Sequence, residues 1–461
     1  MKIMISLNYV FRKLRYGTSN VIRQLWHRLP APENFKMKIK HGMFSKLPFL
    51  FRRTTAYRDW QNFIAAQGLQ KFIESADGSE LDLRDDLAVG SNSDNPYVSY
   101  HDAAPPVNSP VKLIAFYLPQ FHAIPENDKW WGSGFTEWNN VKPAQSQFDR
   151  HYQPHVPGEL GYYDLQNSNA QARQVELAKH YGVGGFCFYT YWFGGKLLLE
   201  KPVENYLNDP NLDLQFCLCW ANENWTRRWD GKENEILMEQ RHSPEDDLAF
   251  IQYVSRFMRD KRYIRIGGKP LLLVYRPSLL PSAKATARRW RSWCQQNGIG
   301  EIYLAYTQSF EIVDPSEIGF DAAIEFPPNN SNPPDVTKII KNAKSDFGGT
   351  VYDWRIFVLK SRNYRKPDYM LFRGVCPSWD NTARRKSKAT IYINSSPRGY
   401  QEWLTNAVTE TCTRIANPEE RLIFVNAWNE WAEGAHLEPD QKYGYAYLDA
   451  TRRALTGEDS F

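Results

Sequence analysis

The chain has 461 residues, a net charge of +5 and 42% hydrophobic residues, enough to bury one large core and still leave an extension. Thirteen Lys and Arg against two acids fall in residues 1–60, so the rest is mildly acidic, which excludes that part as a nucleic-acid binder. Aromatic residues reach 15%, a usage that suits sugar sites as well as large cores.

In the first 30 residues Leu7, Val10, Phe11, Leu14, Ile22, Leu25, Trp26 and Leu29 recur at near-helical intervals between basic residues. The pattern predicts basic amphipathic helices, with peripheral membrane contact as one use and packing on the rest of the chain as the other. Arg12, Lys13, Arg15 and Arg23 interrupt any run of signal-peptide length, and no window is long and apolar enough for a spanning helix. Residues 1–75 are therefore read as a basic helical extension. Residues 76–110, rich in Asp, Gly, Ser, Asn and Pro, are read as a linker. Six Cys without paired spacing read as reduced thiols and a cytoplasmic location, on the inner membrane surface if the extension docks there.

From residue 111 to 455 short apolar runs alternate with helical segments. The runs are Lys112–Leu118, Gly185–Tyr191, Gln215–Trp220, Pro270–Tyr275, Ile302–Thr307, Ala322–Phe326, Gly374–Trp379 and Leu422–Trp428. Segments Ala170–Tyr181, Pro244–Asp260, Ala283–Asn297 and Tyr400–Arg414 repeat their apolar positions at three and four. Eight buried strands alternating with helices predict an α/β fold, a (β/α)8 TIM barrel with long loops. A doubly wound sheet would need a Gly-rich turn after an early strand, and Tyr117-Leu118-Pro119-Gln120 offers none.

Barrel enzymes work at the C-terminal ends of their strands. Polar and aromatic clusters fall there: Tyr117, Gln120 and His122 after the first strand, Tyr191 and Trp192 after the second, and Trp220, Asn222, Glu223 and Trp225 after the third. Asp380 and Asn381 follow the seventh, and Trp428, Asn429, Glu430, Trp431 and Glu433 the eighth. If the chain turns helical after Trp428, Glu430 and Glu433 share a face with Cβ atoms roughly 5–6 Å apart. In a desolvated cleft one of the two should hold a proton while its neighbour stays anionic, the division of labour of glycoside hydrolysis. Trp428 and Trp431 are candidate stacking faces, as are Trp225 and Trp229, or alternatively Tyr191 and Trp192. Glu223, Glu137 and Trp138 are further candidates for sugar contact, with an arginine partner as the other reading of Glu137. No cofactor and no metal is expected, since Asp85-Asp86 and Asp246-Asp247 read as solvated charge or caps rather than as a DxD-like site. Nothing in the sequence signals an oligomeric state.

Four segments, Ala115–His122, Trp130–Trp138, Trp220–Thr226 and Asn426–Gly434, resemble the WbsX-type proteins of bacterial surface-polysaccharide loci, which are related to glycoside hydrolase family 99. The resemblance covers roughly residues 111–450. It implies a barrel enzyme acting on an α-linked glycan of O-antigen or capsule, or on its lipid-linked precursor, without a metal in the chemistry. By the same resemblance Glu430 would be the base that activates the substrate's 2-hydroxyl, and Glu433 the general acid. The chain departs from those hydrolases at Ala432, where they carry His. A sugar-nucleotide glycosyltransferase and a glycan-binding scaffold without turnover are the alternative readings.

Overall fold

A computed structural model describes residues 97–101, 105–106, 108–227 and 232–458. The predicted extension, most of the predicted linker and Trp229 lie outside the described residues. The eight barrel strands are β1 (Lys112–Tyr117), β2 (Val183–Phe193), β3 (Gln215–Trp220), β4 (Lys269–Val274), β5 (Tyr303–Thr307), β6 (Ala322–Ile324), β7 (Leu371–Val375) and β8 (Leu422–Val425). Each pairs in parallel with its successor, and β8 pairs with β1 through registers such as Ile114 with Phe424, closing the barrel. Covered on both faces, the strands consist of nearly continuous apolar residues, as in the fully buried Leu422-Ile423-Phe424-Val425 of β8.

The longer outer helices are α1 (Ser168–His180), α2 (Pro244–Met258), α3 (Ala283–Gln296), α4 (Pro397–Arg414) and α5 (Ala446–Thr456). Local chemistry sets their starts: the hydroxyls of Ser243, Ser282 and Ser396 accept from the backbone N–H of Asp246, Ala285 and Gly399. Pro244 and Pro397 occupy first-turn positions, where a missing N–H costs nothing.

Three loop excursions shape the C-terminal face of the barrel. They follow β1, β6 and β7, and they meet in a small satellite core of Phe148, Val336, Val351, Ala389 and Ile391. There Thr350–Asp353 pairs in parallel with Thr390–Ile393. The short helical turn Thr382–Arg385 that follows β7 is tied to this strand pair at its start, where Asn381 donates to the Thr390 carbonyl and accepts from its N–H. Part of the stretch read as linker is itself tied down, since Val98 donates to the Tyr443 carbonyl and accepts from the Tyr445 N–H. Among the described residues no helix is long and apolar enough to cross a membrane. Cys187, Cys217, Cys219, Cys294 and Cys376 are buried free thiols.

Candidate active site

Beyond β8 the chain does not become α-helical as the spacing suggested. Asn429–Glu430 pairs antiparallel with Ala435–His436, and a single 3-10 turn, Trp431–Glu433, closes the hairpin at Gly434, whose φ is +58°. In a 3-10 turn residues three apart eclipse, so Glu430 and Glu433 still share one side. The hairpin is anchored from two directions. The Asn429 amide donates to the Leu118 carbonyl at 3.0 Å and accepts from the Leu118 N–H at 2.8 Å, imitating a strand pair with the end of β1. The Asp380 N–H donates to the Glu433 carbonyl at 2.6 Å, locking the hairpin to the loop after β7.

Glu430 and Glu433 open into a cleft of about 1040 Å³ at the C-terminal ends of the strands. Both reach one guanidinium: Arg384 Nη2 lies 3.1 Å from Glu430 and Nη1 lies 2.6 Å from Glu433, while its Nε lies 3.0 Å from Glu137. Burial and the neighbouring Glu433 charge push the Glu430 carboxyl up to about 8, against the opposing pull of Arg384. At neutral pH Glu430 therefore keeps its proton beside Glu433.

Of the other residues singled out in the sequence, Gln120, Tyr191, Asn222, Glu223, Trp225 and Asn381 line the cleft. Gln120 Nε2 is buried with no hydrogen-bond partner among the described residues, a donor left for a ligand. Glu223 is partly committed to Arg276 at 2.6 Å. Asn222 braces the same strand end, donating to the Arg276 carbonyl and accepting from its N–H.

The remaining candidates lie outside the cleft and correct the contacts expected of them. Trp428 and Trp431 cannot stack on a sugar because both are buried, their indole N–H groups donating to the two oxygens of Glu438 at 3.0 and 2.6 Å. Trp138 donates to the Tyr163 carbonyl, Trp192 to Asp246, and Trp220 stacks on Phe250, so these rings are core. Tyr117 donates to Gln174, and His122 Nδ1 is held by the Pro119 carbonyl. Asn429 serves as the anchor described above rather than as a sugar ligand. Glu137 is fully buried behind Arg384, which favours its arginine-partner reading. Asp380 is consumed by His151 and Gln153 at 2.6 Å and by Thr382. Burial raises its pKa, but these hydrogen bonds outweigh that and hold it below the usual carboxylate range.

Two important residues escaped the sequence reading as site candidates. Arg384 lies 46 residues before Glu430 in the chain, and its only local signal was the position of Asp380–Arg385 after a strand. Glu438 sits beneath the hairpin and accepts from Trp428, Trp431, Gln174 and Tyr163. Burial pushes it up to about 7.

Among the described residues a metal would find one group of suitable side chains, the buried His155, His436 and Asp440. His155 Nδ1 and His436 Nε2 are 2.9 Å apart, and His436 Nδ1 meets the Glu438 carbonyl. That spacing is a hydrogen bond, shorter than the roughly 3.3 Å expected of two nitrogens on one tetrahedral zinc. The histidines form a satisfied chain, with the His436 ring stacked on Trp431 at 3.7 Å.

Fold and cleft together define a closed (β/α)8 barrel with a carboxylate pair at its C-terminal mouth. The chain belongs to the family described as Glycosyltransferase WbsX, whose model matches residues 113–451. It is 54% identical over 374 residues to the WxcX proteins of Xanthomonas campestris pv. campestris strains B100 and ATCC 33913. That match takes in 81% of this chain and 52% of each relative, so the chain spans about half their length. Among solved structures, a glycoside hydrolase-like protein aligns at 14% identity and a TM-score of 0.47, over 79% of this chain and 99% of its own. A GH99 endo-alpha-mannosidase from Bacteroides thetaiotaomicron aligns at 13% and 0.45, over 75% and 97%.

Proposed function

We propose that the chain is a glycan-active enzyme that cleaves or transfers an α-linked sugar of a bacterial surface polysaccharide or its lipid-linked precursor, with Glu430 and Glu433 as the acid–base pair. The observation that carries this reading is the hairpin after β8, which delivers two carboxyls, Glu430 raised to about 8, into a large open cleft. Acid and base catalysis at a glycosidic bond needs that combination. In the retaining route implied by the family 99 resemblance, Glu430 takes the proton of the substrate's 2-hydroxyl as that oxygen closes on the anomeric carbon. Glu433 gives its proton to the departing oxygen. Water, deprotonated by Glu433, then opens the 1,2-anhydro ring at the anomeric carbon, and Glu430 returns the first proton to O2. A second sugar hydroxyl in place of water gives transfer.

The family description favours a second reading, transfer from a sugar nucleotide. One experiment separates the two: turnover of a panel of α-linked glycans and sugar nucleotides in ¹⁸O-water by the wild type, Glu430→Gln and Glu433→Gln. Label at a new reducing end that disappears in both variants supports hydrolysis at this pair. Consumption of a sugar nucleotide with no label in the glycan overturns it in favour of the second reading.

A further inference from the structure

We propose that Arg384 is the positioning residue of this site, held from behind by Glu137 and aligning Glu430 and Glu433 through two separate guanidinium nitrogens. The inference rests on reading that pair as acid and base. Its geometric basis is the planar fork of arginine: with Nε committed to Glu137, the directions of Nη1 and Nη2 are set, and each takes one member of the pair. A lysine ammonium in the same place would supply the charge without the fixed directions.

Glu137 has no surface on the cleft. Its side chain is 0% exposed, Asn140 donates to the oxygen that Arg384 contacts, and its other oxygen, Oε2, has no hydrogen-bond partner among the described residues. Burying a carboxylate so poorly satisfied is costly unless its charge is used. Here that charge offsets part of Arg384, whose pull on Glu430 favours the anion. Glu137 thus favours the proton on Glu430, and Arg384 opposes it.

Other groups facing the site leave this balance intact. Tyr189 and Tyr191 from β2 and Tyr275 from the end of β4 are pushed far up by burial and stay neutral. Glu223 and Arg276 pair at 2.6 Å, while Arg385, on the same helical turn as Arg384, and His242 also line the cleft and are common to every variant compared below. Removing Glu137 and removing Arg384 must therefore shift the pair in opposite directions, whereas a merely structural role for either predicts no such opposition.

The test uses the full chain as wild type, Glu137→Gln, Arg384→Lys and Arg384→Met, each carrying ¹³Cδ-glutamate, with Glu430→Gln to assign the signal. The carboxyl titration is followed by NMR, and kcat and KM are measured on whichever glycan the wild type turns over. Glu137→Gln should move the pair's titration to lower pH and Arg384→Met to higher pH. Arg384→Lys should titrate near the wild type yet lose about a hundredfold in kcat with little change in KM, the cost of a small misplacement. Shifts in the same direction, or a folded Glu137→Gln with an unmoved titration, overturn the proposal. If Arg384→Met does not fold, the other two variants decide. If no glycan is turned over, the enzyme reading fails alone, because the titration still reports what Arg384 does.

Discussion

Glu433 keeps 22% of its side chain exposed against 7% for Glu430, so Glu433 is the member better placed to reach a leaving oxygen from the cleft. A leaving group that departs without protonation should therefore restore much of the activity of Glu433→Gln and little of that of Glu430→Gln. Aryl glycosides of graded leaving-group pKa provide the measurement, and equal rescue of both variants would remove this division of roles. The pH profile follows from the Glu430 proton. The free enzyme holds it on Glu430, raised to about 8, and the proposed reaction needs one on Glu433, so binding of the sugar hydroxyl would transfer it within the pair. Since kcat/KM reports the free enzyme, it should hold through neutral pH and fall as pH rises past about 8, where the pair loses that proton. A profile flat to pH 10 would contradict it. At this scale the two glutamates were legible because three-residue spacing survives in either kind of helical turn. Trp428 and Trp431 were not, since a ring that stacks on sugar and one that donates to a buried carboxylate look alike in sequence.

The hairpin that carries the pair depends on Glu438, whose two oxygens accept from four buried donors. Glu438→Gln puts an amide N–H₂ against two of them and should cost roughly 1–3 kcal/mol of stability. Burial raises Glu438 above the ordinary glutamate range, to about 7, so its contribution to stability is complete below that range and is lost as pH rises through 7. The wild-type melting temperature should accordingly decline between about pH 5 and pH 8, and Glu438→Gln should flatten that decline. Parallel slopes in calorimetry would show that Glu438 does not titrate in this window. Strands show the same contrast between local and tertiary information. Most of the apolar runs mark barrel strands to within a few residues, but β7 is Leu371–Val375 where Gly374–Trp379 was expected. Arg373 is the reason. It interrupts the run in sequence, yet it lies buried in the strand because Glu410 and Glu325 each pair with it at 2.7 Å. A buried charge satisfied by partners 37 and 48 residues distant in sequence has no local signature.

Charge across the whole molecule is segregated: residues 1–60 hold thirteen Lys and Arg against two acids, and the rest is mildly acidic although the sum is only +5. Each basic residue brought to an anionic bilayer contributes about 1 kcal/mol, falling off within a Debye length, so such a cluster can hold a protein on a membrane without a spanning segment. On the proposed function the barrel has different requirements, because its cleft would admit a glycan and its carboxylate pair would be repelled by an anionic surface brought close. Keeping the basic residues in a different stretch of sequence from the site residues serves both needs if the substrate is carried on a membrane lipid. Deleting residues 1–75 should then release the protein from vesicles containing anionic phospholipid while leaving kcat/KM on a soluble glycan unchanged. Raising salt should weaken binding of the full chain and have little effect on the truncated one, which flotation of both proteins with neutral and anionic vesicles would measure. Equal flotation of the two would show that the basic segment is not a membrane anchor, and its charge would then have to serve a contact with another macromolecule.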